Sequence, residues 1–90
     1  MDLGITGRRA AVAGASAGLG FNTARALVEA GVSVAICGRD AARVQAAADD
    51  LGDLATPITG DVGHPDGARN FIEKAKSELG GIDVPEFLPG

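Results

Sequence analysis

The sequence predicts an α/β fold: a doubly wound parallel sheet, truncated, with strands in the order 3-2-1 and a partial fourth strand. Three observations lead there. Short apolar, β-branched runs alternate with longer stretches of helical periodicity, from Arg9 to Val84. The breaks between them carry glycine, proline and aspartate, and 14 of the 90 residues are Gly. A glycine-rich turn joins the first apolar run to the first helical stretch.

Taken in order, Arg9-Ala10-Ala11-Val12-Ala13 is an apolar run that fits a strand buried on both faces. From Gly18 to Ala30 the apolar residues Phe21, Ala24, Leu27 and Val28 fall on one helical stripe, and Gly31 supplies a stop signal. Val32 to Cys37 reads as the second strand; Gly38-Arg39-Asp40 breaks it, with Asp40 placed to cap a helix carrying Val44, Ala48 and Leu51. Leu54 to Thr59 is the third strand, and its Pro57, which has no N–H to donate, belongs at a sheet edge. Pro65 opens a third helix with Ala68, Ile72, Ala75 and Leu79 aligned, closed by Gly80-Gly81. Ile82-Asp83-Val84 begins a fourth strand that the two prolines of Pro85-Glu86-Phe87-Leu88-Pro89-Gly90 are expected to stop. The expected organisation is one domain over residues 1–84 and a divergent tail over 85–90, which leaves one side of the first strand poorly covered and open to self-association.

A formal charge of −4 and a pI near 4.7 argue against a broad nucleic-acid or anionic-membrane surface, so any bound anion must be held locally. The segment from Met1 to Gly7 has neither the basic start nor the apolar core of a signal peptide, and no apolar run approaches the roughly 20 residues that span a bilayer. A cytoplasmic protein without a membrane partner is expected. Cys37 is the single cysteine and reads as a core thiol. His64 is the single histidine, with no ligand cluster at metal-binding spacing, and Asp49-Asp50 read as a solvated helix face.

The turn Gly14-Ala15-Ser16-Ala17-Gly18-Leu19-Gly20 follows a Gly-x-x-x-Gly-x-Gly spacing. Gly14 permits a sharp exit from the strand, Gly18 a close approach of backbone to a pyrophosphate, and Gly20 close packing of helix on sheet. The free N–H groups of the helix start then favour an anion. The spacing is neither that of a P-loop nor Gly-x-Gly-x-x-Gly, and with no Gly-x-Ser-x-Gly and no histidine in reach Ser16 is not an activated nucleophile. It resembles the Thr-Gly-x-x-x-Gly-x-Gly turn of short-chain dehydrogenases/reductases, with Ala13 standing where that family has Thr, and the resemblance runs from about Gly7 to Val84. It implies a Rossmann-type dinucleotide site. By the same resemblance Asp61-Val62 look like the family's adenine-contacting pair, and Gly80-Gly81-Ile82-Asp83-Val84 is similar to the lead-in to its Asn-Asn-Ala-Gly segment, from which the chain diverges at Pro85.

Sites that prefer NAD place a carboxylate at the end of the second strand, to accept the ribose 2′-hydroxyl. Gly38 stands there, followed by Arg39, whose guanidinium suits a 2′-phosphate, so NADP is expected over NAD, with Ser16 as an added hydroxyl donor. The expected cofactor-binding set is Gly14, Ser16, Gly18, Leu19, Gly20, Arg39, Asp61 and Val62. No catalytic residue is expected among these 90: the resemblance implies hydride transfer assisted by a Tyr, and the chain has no Tyr. The reading is therefore a cofactor-binding fragment of an NADP-dependent carbonyl reductase. The alternatives are a non-catalytic nucleotide-binding or interaction module, or an unstable pseudo-enzyme fragment.

Overall fold

The computed structural model describes residues 8–13, 18–61, 63, 65–82 and 84–87. Its elements are β1 (Arg9–Ala13), α1 (Gly18–Glu29), β2 (Ser33–Gly38), α2 (Ala41–Leu51), β3 (Ala55–Thr59), α3 (Pro65–Leu79) and β4 (Val84–Phe87). The four strands form one sheet in the order β3-β2-β1-β4, all neighbours parallel. β1 runs beside β2 from Arg9↔Ser33 to Ala13↔Cys37, and β2 beside β3 from Val34↔Ala55 to Gly38↔Thr59. Pro57 lies on the outer edge strand, as its missing donor requires.

Alternate strand residues point to opposite faces, and each face has its own core. On one, Ala10, Val12, Val34 and Ile36 meet Ala24 of α1 and Val44, Ala47, Ala48 and Leu51 of α2. On the other, Ala11, Ala13, Ala35, Cys37 and Ile58 meet Phe71 and Ala75 of α3. Helix α2 starts where Asp40, in extended conformation, accepts hydrogen bonds from the N–H groups of Ala42 (2.9 Å) and Arg43 (3.2 Å). It ends at Gly52, whose φ of 98° is one that side chains rarely adopt and whose N–H closes on the Ala48 carbonyl at 3.0 Å. Asp49 and Asp50 lie on the exposed face, where Gln45 Nε2 donates to Asp49 and Arg25, stacked 4.9 Å over the Phe21 ring, reaches Asp50 at 3.4 Å.

The fourth strand departs from expectation. It does not stop at Pro85 but runs on to Phe87, pairing Ala10 with Val84 and Val12 with Phe87 across a register shift. Part of the segment expected to be a tail thus belongs to the sheet. On an edge strand, alternate N–H groups face away from the single neighbour, and Pro85 falls between the two paired positions, where the ladder is already irregular. The expected bare side of β1 is therefore covered: Ala10, Ala11 and Val12 are 0% exposed and Ala13 3%. The two outer strands, β3 and β4, each carry a proline, a residue that discourages pairing with another chain.

Candidate functional site

In a parallel sheet every strand ends on the same side, so the segments after β1, β2 and β3 emerge together. The backbone ties two of these exits directly: Gly60 N–H donates to the Gly38 carbonyl at 2.9 Å, which sets Arg39 and Asp61 on adjoining loops. Arg39 and Asp61 are both exposed. The Asp61 carboxylate accepts from the Gly63 N–H at 2.8 Å, an Asx turn that carries the chain toward α3. The Asp40 carboxylate, next to Arg39 in the chain, accepts the two hydrogen bonds of the α2 cap.

Of the other expected site residues, Gly18, Leu19 and Gly20 form the opening of α1, and Gly20 is buried, in keeping with close packing of that helix on the sheet. Gly14, Ser16 and Val62 lie outside the described residues, as does His64. Beneath the Gly38–Gly60 junction, Cys37 Sγ donates to the Gly60 carbonyl at 3.5 Å. Burial raises the Cys37 thiol pKa, and the negative charge of Asp61 raises it further.

Two features escaped the sequence reading. A groove of about 610 Å³ runs between the end of β3 and one flank of α3, with Ile58 and Phe71 as apolar lining and Asp61, Asn70, Lys74 and Ser77 as polar lining. Its signal was the polar series Gly67, Asn70, Lys74, Ser77, spaced three and four apart beside the apolar stripe of the same helix. Arg9 Nη1 donates to the Gly80 carbonyl at 2.9 Å, joining the start of β1 to the end of α3. Nothing in the local sequence of Arg9 marks a partner 71 residues away. Among the described residues no helix is long and apolar enough to cross a membrane.

A doubly wound sheet whose carboxyl ends gather a helix start, a cation and a carboxylate is a Rossmann-type α/β architecture. The short chain dehydrogenase family profile matches residues 8–84, and the chain belongs to that family. It is 31% identical over 83 residues to a short chain dehydrogenase of Pseudocercospora fijiensis, covering 89% of this chain and 27% of that one. It is 32% identical over 80 residues to nodulation protein G of a Rhizobium species, covering 89% and 33%. Among solved structures it is similar to a 3-ketoacyl-(acyl-carrier-protein) reductase from Brucella melitensis complexed with NADH, at TM-score 0.82 and 28% identity, covering 90% of this chain and 33% of that one. A short-chain type dehydrogenase/reductase from Mycobacterium marinum matches at TM-score 0.81 and 39% identity, covering 90% and 34%. The chain thus spans about a third of the length of the relatives it matches.

Proposed function

We propose that this chain is the cofactor-binding portion of a cytoplasmic short-chain oxidoreductase and that it takes NADP(H) in preference to NAD(H). The observation that carries the preference is the β2 exit: glycine stands at position 38 instead of a carboxylate, and Arg39 beside it is exposed. Removing a carboxylate relieves repulsion of a 2′-phosphate, and a guanidinium supplies a permanent, planar cation for it. The proposed site comprises Gly14, Ser16, Gly18, Leu19 and Gly20 for the pyrophosphate side, Arg39 and Ser16 for the 2′-phosphate, and Asp61 with Val62 for the adenine.

When bound, the cofactor supplies or accepts a hydride, and the whole oxidoreductase would exchange it with a carbonyl or alcohol carbon. The family's proton donor is a Tyr, which this chain does not contain, so the reading assigns cofactor binding and not turnover to these 90 residues. Calorimetric titration with both dinucleotides tests it: NADP should bind at least several-fold more tightly than NAD, and Arg39→Ala should close most of that gap. Equal affinities in the wild-type chain and the variant would reduce Arg39 to a surface residue.

A further inference from the structure

We infer that Asp40 determines how strongly this chain discriminates between the two dinucleotides, acting through its charge while the α2 cap fixes its position. The inference rests on the reading that the Arg39 corner receives the 2′-phosphate. One carboxylate oxygen, Oδ1, accepts both cap hydrogen bonds, at 2.9 Å from Ala42 N and 3.2 Å from Arg43 N. The carboxylate is therefore held at the corner and not free to swing into solvent. Arg39 precedes it and Arg43 follows it on the first turn of α2, all three exposed, so this stretch of chain carries two positive charges and one negative, with the Asp61 carboxylate on the adjoining loop.

The cap itself needs only an acceptor oxygen. Asn and Ser make the same hydrogen bonds without a charge and rank with Asp as caps. The negative charge of Asp40 is thus separable from its structural role, and it opposes the anion that Arg39 attracts. A 2′-phosphate carries nearly two negative charges and the 2′-hydroxyl of NAD none, while the pyrophosphate is common to both cofactors. The Asp40 charge consequently acts on the ratio of the two affinities. Between exposed groups within a Debye length, removal of one charge changes binding of a near-dianion by about three- to tenfold, and salt suppresses the change.

The test is calorimetry on the full 90-residue chain with NADP and NAD, for wild type, Asp40→Asn and Asp40→Ser, at about 20 mM and about 500 mM salt, with far-ultraviolet circular dichroism melts of each. Both variants should bind NADP about three- to tenfold more tightly at low salt and NAD within about twofold of wild type, with the gain fading at high salt. Unchanged NADP affinity in a folded Asn or Ser variant, with Arg39→Ala still weakening NADP, would overturn the inference and leave the site reading standing. Equal gains for NADP and NAD would also overturn it, placing the charge effect on the shared pyrophosphate. If neither dinucleotide binds the wild-type chain, the site reading fails and the inference falls with it.

Discussion

The two faces of the sheet distribute their bulk differently. Under α1 and α2 the bulk is spread over both layers, with Val12, Val34 and Ile36 from the strands and Val44 and Leu51 from α2, and Ala24, Ala47 and Ala48 fill between them. Under α3 the two central strands contribute only Ala11, Ala13, Ala35 and Cys37, the edge strand adds Ile58, and the helix contributes Phe71 and Ala75. Pairing large with small across each contact fills the volume in both cases. The lesson is that the load is distributed differently: several branched side chains share it on the first face, and one aromatic ring holds much of it on the second.

That contrast is most directly broken by mutation of Phe71. Phe71→Ala should cost about 3–5 kcal/mol, since the alanines and Cys37 of the two central strands have few atoms with which to fill the void. A domain of this size has about 5–15 kcal/mol in total, so the variant should be near its unfolding threshold. Ile36→Val, which trims one methylene from the shared load on the other face, should cost about 0.5–1.5 kcal/mol. Urea denaturation of the two variants measures both. Equal losses would show that the faces do not divide the volume as argued.

A smaller effect is expected where the second face is tied down at its end. Arg9 Nη1 binds the Gly80 carbonyl, and its guanidinium packs closely on Gly81, φ 140°, 3.1 Å from where an ideal Cβ would stand. A cation at the carboxyl end of α3 also meets the negative end of the helix dipole. Arg9→Ala should cost about 0.5–1 kcal/mol, because the bond is exposed to solvent. The loss should be local: amide exchange should accelerate in the last turn of α3 and leave α2, on the other face, unchanged. Uniform acceleration in both helices would make Arg9 a global contact and not a clamp.

Local chemistry explains why some of this was legible in the sequence. Asp40 caps α2, Pro57 lies on an edge strand and Pro65 opens α3, because each acts through its own backbone or the next few residues. The course of β4 was not legible. A proline rule judges the residue, whereas the outcome depended on which neighbour β4 pairs with and on a register shift that no local pattern encodes. The Arg9 clamp and the α3 groove are likewise products of chain crossings. At the candidate site, the adjacency of Arg39 and Asp61 follows from the Gly60-to-Gly38 hydrogen bond, which only the β2–β3 register creates.

The smallest effect belongs to Cys37 and is invisible at neutral pH. Its thiol sits in the core under α3, fully buried, and donates to the Gly60 carbonyl; burial first and the Asp61 charge second raise its pKa above the ordinary 9.0. The folded chain therefore keeps its proton at a pH where the unfolded chain has lost it. Stability from this source is complete below about pH 9 and falls as the pH rises from 9 through the folded pKa, since the native state then binds more protons than the unfolded one. The chain has no Tyr, so no phenol adds to this pH dependence. Urea midpoints from pH 7 to 10.5 should fall more steeply for wild type than for Cys37→Ala, and Asp61→Asn should leave the onset near pH 9 and bring the end of the decline to lower pH, by relieving the second cause without touching the first. The thiol charge makes Asp61 an opponent of ionisation, so removing Asp61 lowers the folded pKa toward 9.0 and shrinks the total loss, even as the remaining loss from burial persists. Stability in the Asp61→Asn variant should accordingly decline over a narrower pH range than in wild type. Parallel pH profiles for wild type and Cys37→Ala would show that the buried thiol contributes nothing to the pH dependence.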